Sequence, residues 1–474
     1  MSADNSFGRR GRVSFVRGTG SARRERTRLC RALGVLVAGV LAASPLASAE
    51  PPSAGRAADF VFILMLDGTR PDVLREAKAP VIHQLAERGV QYLQATTVYP
   101  SQTRVAFVSL PTGAYPEKHG IVGGDEIKDA RWQTIPMGND DPVATQALVA
   151  CPTFFEEASA AGLTSLYAAM KGYELVGARG ATWTINGKRT LSSVAYPTRY
   201  LPEVSGSPDL AAGYKQLLSR ELLDQALDVI RTKRPNLVVL NLGSADYAAH
   251  SFGPASARYR EAIEYVDSLV GDLLRALDAL GIRDRSAVIL SADHGFSEVD
   301  GSRVVAPAAA GGGYTLPLLA QAGIEHFVIN TGGTSMGIYV RDKGRVSEAI
   351  SLLRREPWCE SIYCEMEGAA CDRSLHALRA YFPGRSPDLM VDLDDDAALG
   401  FAQPGQHGSF RSADMRIPLI LSGAGVAHGK VFGKGSLVDV APTALRLLGI
   451  SPRLLQPDGR VLDEALDGSA GGGR

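Results

Sequence analysis

Charge of one sign is what this sequence has least of. Among its 474 residues, 50 Lys and Arg oppose 51 Asp and Glu, leaving a net charge of −1. Such a balance offers no global field for nucleic acid or an anionic bilayer. An anionic ligand would have to be held by local positive charge, and metal ions are one source of it. Long apolar runs are also missing. Beyond the N-terminal segment no stretch reaches the roughly 18 residues of a membrane-spanning helix. Internal repeats are absent, and cysteine is scarce at 5 residues. What is abundant is apolar sequence, 45% of the chain, enough for one large domain or two ordinary ones around a sizeable core.

The first 49 residues read as an address rather than as part of the fold. Arg23, Arg24, Arg26, Arg28 and Arg31 precede an apolar run from Ala32 to Ala43, and Ala47-Ser48-Ala49 follows. A basic stretch, an apolar stretch and an A-x-A site in that order predict a signal peptide and an exported chain, periplasmic or extracellular. Cys30 lies ahead of the apolar run, so it is not a lipoprotein cysteine. Of the remaining four, Cys359, Cys364 and Cys371 cluster while Cys151 stands apart, which predicts one local disulfide. Residues 50–58 form a Pro/Ser/Gly/Ala linker, 59–452 the main domain, and 453–474 a tail that ends in a Gly-rich segment.

Within 59–452, short apolar runs alternate with amphipathic stretches. Phe60-Leu66, Ser165-Ala169, Leu237-Leu242, Ala287-Leu290, Phe327-Asn330, Leu389-Val391 and Pro418-Leu421 predict strands. Ala79-Gly89, Leu217-Thr232, Ser256-Leu280 and Val346-Arg355 predict helices from apolar residues at 3–4 spacing. The alternation implies an α/β fold, a mostly parallel sheet with helices on both faces, whose ligands bind beyond the carboxyl ends of the strands. Residues 172–236 and 300–400 are less regular and are expected to be insertions that cap the site.

The polar residues fall where that rule places them. Asp67-Gly68 follows directly on Phe-Val-Phe-Ile-Leu-Met-Leu; alone it would be an ordinary turn. The pattern then recurs. Leu237-Leu242 leads to Asp246 and His250, and Ser286-Leu290 leads to Asp293-His294. Asp246 and His250 are four apart, so one helical turn would aim both at a common ion. His407 adds an imidazole flanked by glycine two residues before it and immediately after it. Mixed imidazole and carboxylate ligands suit zinc better than calcium or magnesium, and two groups of ligands imply two ions. Thr103, in Pro-Ser-Gln-Thr-Arg, reads by itself as a helix start; with a cation beside it, its hydroxyl becomes a usable nucleophile.

Taken in order, Asp67, Pro-Ser-Gln-Thr103, Thr-Gly-x-Tyr-Pro-x-x-His119-Gly-Ile, Asp246-x-x-x-His250, Asp293-His294-Gly and Gly-x-His407-Gly resemble the type I phosphodiesterase/nucleotide pyrophosphatase family of the alkaline phosphatase superfamily. The likeness spans roughly residues 59–452. It implies an alkaline-phosphatase-like fold and two zinc ions, one held by Asp246, His250 and His407, the other by Asp67, Asp293, His294 and the Thr103 oxygen. It also implies a phospho-threonine intermediate, a small phosphate-ester substrate and no nucleic-acid polymer as partner. His119 matches a structural position of the family, and His83, His326, His376 and His428 are expected to be structural. One departure stands out: the family's asparagine after His-Gly-Ile, which donates to a phosphate oxygen, is Gly124 here. Lys171 and Arg104 are candidate replacements, and they keep a phosphomonoesterase or phosphonate hydrolase in view. The reading of another class is a non-catalytic metal-binding protein. A sulfatase is disfavoured, because Ser101-Gln102-Thr103-Arg104 lacks the C/S-x-P-x-R nucleophile context.

Overall fold

The structure, a computed structural model, describes residues 56–467 except 125, 138–144, 188–207, 301, 307–313, 366–370 and 401–402. The expected signal peptide, most of the linker and the Gly-rich tail lie outside the described residues. Among the described residues, no helix is long and apolar enough to cross a membrane.

The strands that matter are β1 Phe60–Leu66, β2 Val90–Thr96, β3 Ser165–Ala169, β4 Trp183–Asn186, β5 Leu237–Leu242, β6 Ser286–Ser291, β7 His326–Asn330, β8 Ser335–Val340, β9 Cys359–Cys364, β10 Arg373–Ser374, β11 Leu389–Leu393, β12 Leu419–Gly423 and β13 Lys430–Ser436. The helices are α1 Pro80–Arg88, α2 Thr103–Thr112, α3 Phe154–Ala160, α4 Pro208–Lys233, α5 Ser244–Phe252, α6 Ala257–Ala279 and α7 Val440–Leu447.

Eight strands form the main sheet in the order β13-β2-β12-β6-β1-β5-β3-β4. From β6 to β4 every pairing is parallel. β12 runs antiparallel to both its neighbours, so the sheet is mostly but not wholly parallel. Every residue of β1 is buried, as expected of a central strand covered on both faces. Its two side-chain rows serve two cores. Val61, Ile63 and Met65 join residues of α2, α3 and α7. Phe62, Leu64 and Leu66 join residues of α1, α4 and α6 on the opposite face. The period of two in the strand thus sets the layering.

The stretches 172–236 and 300–400 carry more regular structure than their sequence predicts. β4 is the edge strand of the main sheet, and α4 covers one of its faces. β7 to β11 build a second sheet, ordered β7-β8-β11-β9-β10. β7 and β11 match the predicted runs Phe327-Asn330 and Leu389-Val391, while β4 and β8 are hard to see in the sequence for a physical reason. β4, Trp-Thr-Ile-Asn, sits on an edge and has no continuous apolar run, and β8 is interrupted by Gly337. A disulfide joins Cys364 to Cys371, leaving Cys151 and Cys359 as free thiols among the described residues, so the bridge falls within the clustered trio.

Candidate two-metal site at the carboxyl edge of the main sheet

Four adjacent parallel strands, β6, β1, β5 and β3, end on the same edge. The residues just beyond them are Asp293, Asp67, Asp246 and Lys171. Gly68 lets this edge close up: it takes φ +66°, and a Cβ there would lie 2.5 Å from Phe296 and 2.9 Å from the Asp246 Cα. Its N–H donates to Asp293 Oδ1 at 2.9 Å. One turn of α5 brings His250 Nε2 within 3.4 Å of Asp246 Oδ1.

Two groups of potential ligands result, Asp67/Asp293/His294 and Asp246/His250/His407, each with its ligand atoms within 4.8 Å of one another. Three buried carboxylate oxygens among them, Asp67 Oδ1, Asp246 Oδ1 and Asp293 Oδ2, have no hydrogen-bond partner. Unsatisfied buried anionic oxygens are costly unless a cation completes them. The histidines fit the same purpose. His250, His294 and His407 each place Nδ1 against a backbone carbonyl, of Gly405 at 3.0 Å, Gly295 at 2.9 Å and Ser101 at 2.9 Å. A carbonyl only accepts, so Nδ1 carries the proton and Nε2 keeps its lone pair free for an ion. Burial lowers His294 to about 4, and burial together with neighbouring imidazoles holds His407 well below its ordinary value, so both rings are neutral. His119 is the contrast. Its Nδ1 accepts from Ile121 N and its Nε2 pairs with Ser109 Oγ at 2.8 Å, leaving nothing for an ion. Orphaned carboxylates, neutral imidazoles and fixed tautomers fit a pair of divalent cations.

The carboxylates are unequal. Burial pushes Asp293 well above its ordinary value, and the Asp67 charge adds to the rise. Burial also acts on Asp246, but the Lys171 charge and the nearby imidazoles hold it well below. Lys171 is central to this. Its ammonium bonds Asp67 Oδ2 at 3.1 Å and Asp246 Oδ2 at 2.8 Å, one carboxylate from each group. Asn241, the one polar side chain in the apolar run of β5, also donates to Asp67 Oδ2, at 3.0 Å.

Thr103 opens α2, and its Oγ1 lies 3.1 Å from His294 Nε2. It faces a cavity of about 370 Å³ that is also lined by Arg104, Lys171, Tyr173, Asp246, His250 and His407. Arg104 is only 2% exposed, and its guanidinium packs 4.9 Å above the Tyr173 ring. Lys171 and Arg104 both border this cavity instead of lying exposed on the surface. Gly124 is not among the lining residues. It takes φ +76°, and a Cβ there would meet Glu126 O and Ile329 Cβ, each at 3.1 Å. Four carboxamides, Gln102, Asn330, Gln403 and Gln406, line the cavity without having been singled out from the sequence. Only Gln406, next to His407, and Gln102, next to Thr103, stood beside a recognisable motif.

A mostly parallel sheet layered by helices, with two Asp/His groups of potential metal ligands at its carboxyl edge, defines an alkaline-phosphatase-like α/β protein. The chain belongs to the type I phosphodiesterase / nucleotide pyrophosphatase family, whose pattern it matches over residues 61–409. It is 25% identical over 246 residues to a venom phosphodiesterase of Macrovipera lebetinus, covering 52% of this chain and 26% of that protein. It is 23% identical over 262 residues to the bis(5'-adenosyl)-triphosphatase ENPP4 of Bos taurus, covering 54% of this chain and 50% of the relative. The chain thus spans about a quarter to a half of the length of the curated relatives it matches. Among solved structures, murine ectonucleotide pyrophosphatase / phosphodiesterase 5 superposes with a TM-score of 0.65 at 17% identity, covering 86% of this chain and 100% of the other. A mutant of alkaline phosphatase PafA superposes with a TM-score of 0.68 at 16% identity, covering 86% and 99%. These likenesses establish the fold.

Proposed function

We propose that the protein is an exported two-zinc phosphoesterase that hydrolyses phosphodiester or nucleotide pyrophosphate bonds through a phospho-threonine intermediate. The observation that carries this reading is the Thr103 hydroxyl. It lies at the start of a helix, beside His294 of one ligand group and in a cavity lined by all three residues of the other. Zinc bound by Asp67, Asp293 and His294 and by Asp246, His250 and His407 would neutralise phosphate charge and lower the pKa of the hydroxyls at the site. Thr103 Oγ forms the new bond to phosphorus as the ester oxygen leaves, and water then cleaves the Thr103 ester and restores the hydroxyl. A helix N-terminus such as that of α2, which Thr103 opens, favours the negative charge of the phosphate oxygens. Arg104 and Lys171 border the same cavity and supply fixed positive charge beside it. The relatives' names, phosphodiesterase and bis(5'-adenosyl)-triphosphatase, agree in kind.

Lys171 favours a second reading. A cation reaching into the centre, with Gly124 where an amide donor was expected, suits the extra charge of a phosphomonoester or phosphonate. The experiment that separates the readings compares kcat/KM for an aryl phosphate diester and its monoester, with wild type and Lys171→Ala. A diesterase prefers the diester and loses it little in the variant. A monoesterase loses the monoester by on the order of 10–100-fold more than the diester. Turnover of either ester that is indifferent to chelation would sink both readings in favour of a metal-free role.

A further inference from the structure

Asp414 sits behind the metal centre, touches no proposed ligand side chain, and is fully buried in the short helical turn Ser412–Met415. Its carboxylate gathers donors from three separate segments. Oδ1 accepts from Ser297 Oγ at 2.7 Å. Oδ2 accepts from Thr334 Oγ1 at 2.9 Å, from Ser409 N at 3.0 Å and from Ser409 Oγ at 2.5 Å. Its own carbonyl receives Gly295 N at 2.7 Å. Gly295 and Ser297 follow His294, Ser409 follows His407, and Thr334 is in the turn between β7 and β8 of the second sheet.

The two histidine-bearing loops also meet each other directly. Gly405 and Gln406 pair antiparallel with Glu298 and Ser297. The His294 and His407 rings stack with centroids 3.5 Å apart and planes 11° from parallel. These rings belong to different ligand groups. A pair of loops joined by a two-residue ladder has little intrinsic rigidity. Asp414 supplies what the ladder lacks: its carboxylate holds the Ser297 hydroxyl of one loop and the Ser409 N–H and hydroxyl of the other, while its carbonyl holds Gly295 N.

We propose that Asp414 is a positioning residue that holds the His294 and His407 loops in one fixed relation, so that the two ion sites keep or lose their metal together. The proposal rests on the two-zinc reading above. At Oδ2 the position demands an acceptor, because two hydroxyls and one backbone N–H converge on that fully buried oxygen. Asparagine would serve nearly as well: its Oδ1 can take the Ser409 and Thr334 donors while its amide donates to Ser297 Oγ, a hydroxyl that also accepts.

The test uses the full mature chain loaded with zinc, and reads the metal rather than turnover. Zinc stoichiometry and both dissociation constants are measured by competition with a chromophoric chelator, and the cobalt(II) form is followed by its visible spectrum. Asp414→Ala is expected to weaken both sites by about 10–100-fold and to change the cobalt spectrum, with Asp414→Asn remaining near wild type. Asp392→Asn is the control. Asp392 is an equally buried carboxylate that holds Tyr99, Tyr363 and Phe410 N but makes no bond to the Gly295–Ser297 segment, and its variant should keep both ions. If Asp414→Ala does not fold, Ser297→Ala removes a single donor and should weaken both sites by several-fold. Unchanged affinities in Asp414→Ala or Ser297→Ala, weakening of one site alone, or an equal loss in Asp392→Asn overturns the proposal while leaving the two-zinc reading intact. A wild-type chain that binds fewer than two zinc ions overturns both.

Discussion

The two ligand groups are built from the same residue types but by different means. Asp67, Asp293 and His294 are fully buried and come from the ends of two adjacent central strands, β1 and β6. Their positions follow from the parallel register of the sheet. Asp246 and His250 ride on one turn of α5, and His407 comes from a loop about 157 residues further on, fixed by Ser101 and the Asp414 network. All three of these line the cavity, whereas none of the inner three does. The inner group is therefore set by the core, and the outer group by contacts that the core does not dictate. A site divided in this way joins a core-built group to a cavity-facing one, with Asp414 bonded to the loops that follow both His294 and His407.

The most severe test of that division is at the point between the groups. Thr103→Ala should lower kcat by on the order of 10⁴–10⁶-fold while zinc content stays at the wild-type value. Substantial residual turnover, or a loss of metal, would remove Thr103 from its assigned place. The next effect separates the groups. Asp293→Ala and His250→Ala should each weaken zinc at their own site by more than the roughly 10–100-fold seen when an outer-sphere partner is lost. Only Asp293→Ala should also shift the thermal midpoint of the zinc-free chain clearly, because it alone alters the packed core. Equal thermal shifts in the two variants would erase the distinction between core-built and loop-built groups.

A smaller effect lies away from both groups. Burial raises Asp392 from its ordinary 3.8 to about 7. Between those values the folded chain binds a proton that the unfolded chain does not, so this residue's contribution to stability falls as pH rises through the window, by up to about 1.4 kcal/mol per pH unit. Asp392→Asn removes that slope. Urea unfolding of both proteins at pH 5 and pH 7.5 checks it, and a stability difference between them that is constant with pH would contradict the raised value. The smallest effect on the site is expected from His119→Ala. It should cost about 1–3 kcal/mol of stability by leaving the Ser109 hydroxyl and Ile121 N unpaired, yet leave zinc stoichiometry unchanged by metal analysis.

What was legible in the sequence follows the same division. Asp67 and Asp293 stand directly after apolar runs, so strand and ligand announce each other, and Asp246 with His250 shows the spacing of one helical turn. Lys171 was visible as a cation after a predicted strand, but not its bonds to both Asp67 and Asp246, which require β3 to lie beside β5. The family resemblance, not the local pattern, singled out Thr103 and joined His407 to Asp246 and His250. Gly124, the residue in the place of the family's phosphate-binding asparagine, is not among the residues that line the cavity. Asn330, Gln403, Asp392 and Asp414 carry no local signal, because neutral carboxamides and buried acids acquire meaning only from residues far along the chain. Of the second sheet, β7 and β11 were legible as the runs Phe327-Asn330 and Leu389-Val391, whereas β8, interrupted by Gly337, and the two-residue β10 were not.

The three candidate ligand histidines are oriented by carbonyl groups of Gly405, Gly295 and Ser101, and a carbonyl is present whatever the side chain. No single substitution can delete those acceptors; only a change in backbone course can. The chemical state of the imidazoles is thus insulated from sequence drift around them. A lineage could rewrite its cavity wall, exchanging carboxamides for other groups and one ester for another, without relearning how to present nitrogen to a metal.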